Sequence, residues 1–193
     1  PLESTLLPSG KAVVSPFLSP DGQWVGFSDE AENGSALRKT SISGGPVATI
    51  VPQAGLLRGA SWGTDDTIVF ATLDQSSELL RVPSSGGTPE ILTKPDPQTD
   101  HFFPDVLPGG RAVIFTINRV GSSPQTAIFD AQTGSTRILI EGASFARYAA
   151  SGHLVYVVDR TMYAVRFVPK RLEAVGSGVP VLEGIVTKQN GAA

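Results

Sequence analysis

The chain repeats one short unit four times, and this repetition constrains its fold more than any other feature. The first copy, SPDGQWVGFS, covers Ser19–Ser28. It joins a turn to a short apolar strand, because proline presets φ, aspartate bonds its own backbone and glycine accepts a positive φ. The other copies are SWGTDDTIVFAT, VLPGGRAVIFTI and YAASGHLVYVVD. The strand aromatics Phe27, Phe70, Phe115 and Tyr156 lie 43, 45 and 41 residues apart, and this spacing indicates a repeat architecture.

A second hairpin lies between successive copies. It reads LRKTSISGGPVATIV, LLRVPSSGGTPEILT, AIFDAQTGSTRILIEG and MYAVRFVPKRLEAVGSGVPVLEG in chain order. Each unit therefore has four short strands, and a period of about 40–45 residues with four strands is typical of a β-propeller blade. The sequence predicts an all-β fold, a β-propeller or propeller segment of about four four-stranded blades. Two separate β-sandwiches are the alternative.

The repeats predict where the blades begin and end within one propeller segment spanning residues 1–193. The four units are expected at about 13–53, 54–98, 99–144 and 145–185, with partial strands at 1–12 and 186–193. No segment carries a 3.6-residue apolar period between helix caps, so no helix is expected. Propellers close with about 4–8 blades. We therefore expect part of a larger propeller or protein, a ring completed by self-association of two chains, or an open arc.

Composition excludes several classes of partner and site. The 15 basic and 18 acidic residues give a net charge of −3, and the basic residues are scattered singly. This pattern argues against nucleic acid as a partner. The chain has no cysteine, so it has neither disulfides nor thiolate metal sites. No apolar run approaches the ~20 residues that span a bilayer, so no direct membrane insertion is expected.

Two motifs resemble functional sites but are interpreted as structural. GASWG matches the G-x-S-x-G elbow of hydrolases, with Ser61 as the nucleophile. That elbow requires a helix after the serine, whereas a turn and a strand follow here. Asp21, Asp65 and Asp66 lack the alternating ligands of a calcium loop, so they are predicted to form turns. No catalytic residue, metal site or cofactor is predicted.

The segment TKPDPQTDHFFPD holds the candidate ligand-binding residues. It is expected to be an irregular blade-connecting loop, and propeller function resides in such loops. The candidates are Asp100, His101, Phe102, Phe103 and Asp105. His101 could act as a base or metal ligand, but a closed metal site needs three or four ligands. His153, the other histidine, is expected to be exposed in a turn.

The repeats resemble the TolB-like (WD40-like) β-propeller. SPDGQWVGFS followed by ISGGPVATIV matches the pattern W/F-S-P-D-G-K-x-I-A-F and then G-G-x-x-x-x-L-T, and the likeness covers about residues 13–185. It is good in the first unit and weak in the fourth. SELLRVPSSGGTPEILT and LVYVVDRTMYAVRF further resemble the extracytoplasmic propeller of bacterial receptor-like serine/threonine protein kinases. None of the kinase motifs is present.

The resemblance implies a non-enzymatic binding, sensing or scaffolding module. Its partner would be a protein, a peptide or a small ligand at the propeller channel, and a periplasmic or extracytoplasmic location is implied. The alternative is the substrate-filtering propeller of a serine hydrolase or peptidase. A third class is a catalytic propeller such as a metal-dependent lactonase, which needs acidic and His ligands from several blades.

Overall fold

The computed structural model describes residues 13–31, 34–73 and 78–186, and the secondary structure of these ranges is entirely β. The strands form four sheets of four, each an antiparallel meander in chain order. The first sheet contains β1 (Val13–Leu18), β2 (Trp24–Ala31), β3 (Gly34–Ser41) and β4 (Ala48–Val51). The second contains β5 (Leu57–Trp62), β6 (Thr67–Thr72), β7 (Leu80–Pro83) and β8 (Glu90–Ile91). The third contains β9 (Thr99–Val106), β10 (Ala112–Arg119), β11 (Gln125–Asp130) and β12 (Ser135–Glu141). The fourth contains β13 (Ser144–Ala149), β14 (His153–Val158), β15 (Thr161–Val168) and β16 (Glu173–Glu183).

The same tight turn joins the first two strands of every sheet. Its last residue has φ between 62° and 82° and lies at Gly22, Asp66, Gly110 and Gly152. In each turn this residue donates its backbone N–H to the carbonyl three residues earlier, at 2.9–3.1 Å. Glycine suits the left-handed conformation because it has no Cβ, so Asp66 is the exception among the four turns.

A bulge recurs in the first strand of every sheet. The bulged residue has a positive φ and lies at Ser15, Gly59, Phe103 or Phe145. These positions are 44, 44 and 42 residues apart, which is also the spacing of the turns. Bulges bend a strand and increase its twist. Each first strand is therefore bent at an equivalent point.

The apolar core is divided into three parts, one between each pair of consecutive sheets. The first part contains Phe70, the second Phe115 and the third Tyr156. Full burial of such a side chain contributes roughly 1.5–3 kcal/mol. The recurring aromatics therefore join neighbouring sheets rather than the strands of one sheet.

The sheets contact one another in chain order, and their first strands touch in turn: β1 with β5, β5 with β9 and β9 with β13. The first strands β9 and β13 also contact the second strand of the preceding sheet, β6 and β10 respectively. Four small sheets placed side by side by their first strands are blades around one axis. The predicted all-β propeller segment is confirmed, and the sheets do not form the predicted alternative of two sandwiches. The partial strands expected at 1–12 and 186–193 lie outside the described residues except for Val186, which is not part of a strand. Within the described ranges there is no helix long and apolar enough to cross a membrane.

The expected loop TKPDPQTDHFFPD is wrong over its second half, which forms β9. Proline argues against a strand because it lacks an N–H for the ladder. Pro104, however, follows the bulged residue Phe103, and the pairing with β10 skips from Phe102 to Asp105. Pro104 therefore has no partner on β10, and no hydrogen bond of this pairing requires its missing N–H.

Candidate functional site

The turns that follow the first strands of all four sheets meet around one cavity of about 230 Å³. We call this cavity the axial mouth. Its lining residues come from the first sheet (Pro20), the second (Trp62, Thr64), the third (Asp105, Val106, Pro108) and the fourth (Tyr148, Ala150). Asp105 is the one predicted site residue among them.

Hydrogen bonds between neighbouring sheets hold the rim of the axial mouth in place. The Ser61 hydroxyl accepts the backbone N–H of Val106 at 3.0 Å. Asp105, 44 residues after Ser61 in the equivalent position, accepts the N–H of Tyr148 at 2.8 Å. Ser61 is thus part of a strand that is followed by a turn and another strand, as the structural interpretation of GASWG predicted. Each of these two hydrogen bonds holds the first strand of one sheet against the first strand of the next.

Asp105 also faces a cation from the fourth sheet. Arg147 Nε lies 3.9 Å from Asp105 Oδ1, and the guanidinium donates to the carbonyls of Phe103 and Pro104 at 3.0 and 2.9 Å. Burial raises the pKa of Asp105, while the charge of Arg147 and the Tyr148 N–H act in the opposite direction. Burial also lowers the pKa of Arg147, and the charge of Asp105 opposes this. The pair therefore links the third and fourth sheets directly beneath the axial mouth.

His101 lies at the opposite end of β9, with only 4% of its surface exposed. Its Nδ1 is 2.8 Å from the Thr93 hydroxyl, which already accepts the N–H of Leu79 at 3.0 Å. A hydroxyl has one proton and two lone pairs, so Thr93 can donate to Nδ1 or accept from it, and this contact fits either neutral tautomer of the imidazole. Burial lowers the pKa of His101 to about 4, and the charge of Asp96 opposes this. His101 borders a separate cavity of about 370 Å³.

The remaining candidates lie between these two ends. Phe102 and Phe103 are buried in the core between the second and third sheets. The Arg58 guanidinium lies 4.9 Å from the centroid of the Phe102 ring. Burial lowers the pKa of Arg58, and the charge of the half-buried Asp100 opposes this. The structure thus distributes the five candidates over three places along β9, and their role in ligand binding stays a prediction. His153 is exposed, as expected, but it is the first residue of β14 and not part of the turn before it.

A second cavity, of about 500 Å³, lies between the first and second sheets and adjoins the axial mouth. We call it the tryptophan pocket, because Trp24 and Trp62 line it together with Lys39, Asp66 and others. Aromatic residues on strands usually pack in a core, so the sequence alone assigns both tryptophans to core packing. The available signal was their departure from the repeat, since Trp24 occupies a position that is aliphatic in the other three units. In the described part of the chain, no three His, Asp or Glu side chains cluster to hold a metal ion.

No protein-family model matches this sequence, and no curated protein matches it. Solved structures do match it. A protein assigned as TolB from Agrobacterium tumefaciens superposes with a TM-score of 0.69 at 18% identity, over 88% of this chain and 66% of that one. TolB from Acinetobacter baumannii gives 0.68 at 18% identity, over 89% of this chain and 44% of that one. A chain of the nidogen/laminin complex gives 0.66 at 16% identity, over 81% and 61%.

The blades and these matches define the chain as a β-propeller segment. More narrowly, it has the TolB-like propeller fold that its repeats resemble. It spans 66% and 44% of the lengths of the two TolB structures. Enzymes match as well, among them an oligogalacturonate lyase in complex with manganese and a puromycin hydrolase, with TM-scores of 0.66 and 0.64. At identities of 13% and 16%, these matches concern the fold alone.

Proposed function

We propose that this chain is a non-enzymatic binding module that recognises a protein or peptide segment at the axial mouth. One observation carries the proposal: turns from four successive blades converge on a single cavity whose rim is fixed by hydrogen bonds between the blades. A rigid rim binds with little loss of conformational entropy.

The lining of the axial mouth favours a protein partner over a free small molecule. Pro20, Pro108 and Tyr148 offer apolar and aromatic surface beside the carboxylate of Asp105. Tyrosine and tryptophan often dominate binding energy at protein interfaces. A cavity of about 230 Å³ is below the ~300–1,000 Å³ of typical small-molecule sites. It would therefore accept one or two side chains presented by a loop or an extended peptide.

A sensing or scaffolding role follows from the resemblance to the extracytoplasmic propellers of receptor-like kinases. In that arrangement the chain would bind its partner outside the cytoplasm, and the kinase would lie in another domain. The present support is the similarity of SELLRVPSSGGTPEILT and LVYVVDRTMYAVRF to those propellers.

The test is selection of peptides from a random library on the purified chain, followed by affinity measurements on two variants. Tyr148→Ser removes an aromatic wall of the axial mouth. Gln132→Ala changes an exposed turn between β11 and β12 and serves as the matched control. We expect Tyr148→Ser to weaken binding by about tenfold or more, with no change for Gln132→Ala. Equal binding by the two variants would place the interaction elsewhere and refute the proposal.

One observation favours a second candidate, the substrate-filtering propeller of a serine hydrolase. The puromycin hydrolase and a prolyl endopeptidase match over 91% of this chain, which corresponds to 30% and 29% of their own chains. The full-length gene product should then react with a fluorophosphonate probe at a serine outside residues 1–193. A full-length product that does not react would exclude this candidate and leave the binding role.

A further inference from the structure

Four residues at the tryptophan pocket depart from the repeat that builds the rest of the chain. Trp24 occupies the position held by Ile68, Ala112 and Leu154 in the other sheets, two residues after the turn. Lys39 occupies the position of Leu80, Ile128 and Tyr163, as the strand pairing shows. Asp66 replaces the turn glycine. Gly26 replaces a large side chain, and the Phe17 ring fills the space above it. These departures bring a tryptophan, a lysine and an aspartate together at positions where the other blades have Ile, Ala, Leu, Tyr or Gly.

The pocket is held in shape by the carboxylate of Asp66. Asp66 Oδ1 accepts the Trp62 indole N–H at 3.0 Å and the Ser84 hydroxyl at 2.6 Å. Both bonds lower the pKa of Asp66, so its carboxylate stays charged. An aspartate with φ of 62° is strained relative to a right-handed conformation. The bonds to Trp62 and Ser84 offset that strain and orient one wall of the pocket.

Lys39 spans the space between the two indole rings. Its Nζ lies 5.1 Å from the Trp24 ring centroid and 5.5 Å from that of Trp62, within cation–π range. It forms no ion pair with the part of the chain that the structure describes. Asp21, which also lines the pocket, accepts the Ser19 hydroxyl and the N–H of Gln23 through Oδ1. The pocket therefore presents one ammonium donor, two carboxylate acceptors and the half-buried Trp24 indole, with Lys39 Nζ over its ring.

We infer that the tryptophan pocket binds a neutral sugar ring. Sugar hydroxyls both donate and accept, so they complement Lys39 and the two aspartates together, and the apolar face of the ring can pack on Trp24. An anionic ligand would face Asp21 and Asp66, and a cationic ligand would face Lys39. The volume of about 500 Å³ lies within the ~300–1,000 Å³ range of small-ligand sites and accommodates one or two sugar rings.

Tryptophan fluorescence reports on this pocket, because the chain has two tryptophans and both line it; Trp62 borders the axial mouth as well, whereas Trp24 lines the tryptophan pocket only. The probes are glucose, galactose, N-acetylglucosamine, maltose and cellobiose, each titrated to about 50 mM, since millimolar affinity corresponds to about −4 kcal/mol. Saturation-transfer NMR on the same samples provides a readout that does not depend on the indoles. We expect at least one sugar to give a saturable change in both measurements.

Two variants restore residues that the repeat already tolerates. Trp24→Leu introduces the side chain found at Leu154, and Lys39→Leu introduces the one found at Leu80. We expect each to weaken sugar binding by about tenfold or more, a loss of about 1.4 kcal/mol. Lys170→Leu, at an exposed position outside the pocket, is the matched control and should bind as the unmodified chain does.

Three results would overturn the inference: no saturable binding of any of the sugars, binding that Trp24→Leu leaves unchanged, or preferential binding of a zwitterion such as glycine or diglycine. The Tyr148→Ser variant separates this site from the proposed function. It should keep its sugar titration while losing peptide affinity at the axial mouth.

Discussion

The buried His101 predicts a specific loss of stability in mild acid. Its pKa is about 4 in the folded chain against 6.5 for the free side chain, because burial opposes the charged form. Between these values the unfolded chain binds a proton that the folded chain does not. The free energy of unfolding must therefore fall as pH falls from 6.5 to 4. At 1.36 kcal/mol per pKa unit, the contribution of His101 is about 3 kcal/mol.

The assay is urea unfolding followed by tryptophan fluorescence between pH 7.5 and pH 4. His101→Gln stays neutral throughout and keeps a carbonyl that can accept the Thr93 hydroxyl. His153→Gln replaces the exposed histidine and is the matched control. We expect the unmodified chain and His153→Gln to lose about 3 kcal/mol more than His101→Gln over this range.

The difference between variants isolates His101 from the carboxylates. The raised pKa of Asp105 acts with the opposite sign, because its stabilising contribution is present below 3.8 and is lost as pH rises through the raised value. Asp66, whose pKa is lowered, loses its contribution only below 3.8. Both groups are the same in all three proteins. Parallel pH profiles for the unmodified chain and His101→Gln would refute the assignment of a neutral, buried imidazole.

Two further predictions concern contacts between blades. Asp105→Asn keeps an acceptor for the backbone but leaves Arg147 without its counter-charge. We expect a loss of about 2 kcal/mol in urea unfolding, below the ~3–5 kcal/mol of a fully buried pair because the Arg147 side chain is 34% exposed. Glu90→Gln, in an exposed ion pair, should change the free energy of unfolding by less than about 1 kcal/mol. Equal losses for Asp105→Asn and Glu90→Gln would contradict a stabilising role of the Asp105–Arg147 pair. Gly59→Ala places a Cβ 2.8 Å from a backbone carbon of the third sheet's first strand, so its melting temperature should drop well below that of Gly44→Ala, which also has a positive φ but open space around it. Similar melting temperatures for the two would argue against close contact of the first strands.

The repeated turns could be predicted from local sequence because their chemistry is local. Proline, aspartate and glycine act on their own backbone, so Pro20, Asp21 and Gly22 indicate a turn without any tertiary information. The all-β fold and the four repeated units of this segment followed from the spacing of the strand aromatics and from the turns between the strands. The structure adds that Asp66 takes the position of the glycine, which the sequence suggests only after the four turns are aligned.

The surroundings of the candidate site residues could not be predicted, because they depend on contacts between blades. His101 becomes buried only when Thr93 and Phe115 pack against it. Pro104 made the segment look like a loop in the sequence. A proline is tolerated within this strand only because the pairing with β10 contains a bulge, which the sequence does not show. An aromatic residue on a strand can pack in the core between blades or line a pocket. The sequence alone could not decide between these two positions for Trp24.

The central claim is that the first strands of successive blades lie side by side around one axis, and paired cysteines test it directly. The chain has no cysteine of its own, so the background is clean. Ser61→Cys combined with Val106→Cys joins β5 to β9, where the Ser61 hydroxyl and the Val106 N–H are 3.0 Å apart. Ser61→Cys combined with Ser122→Cys, in a turn at the opposite end of the third sheet, is the control. Mild oxidation should produce an intramolecular disulfide in the first pair alone, detected by mass spectrometry. A first pair that stays reduced while the protein remains folded would contradict the propeller arrangement.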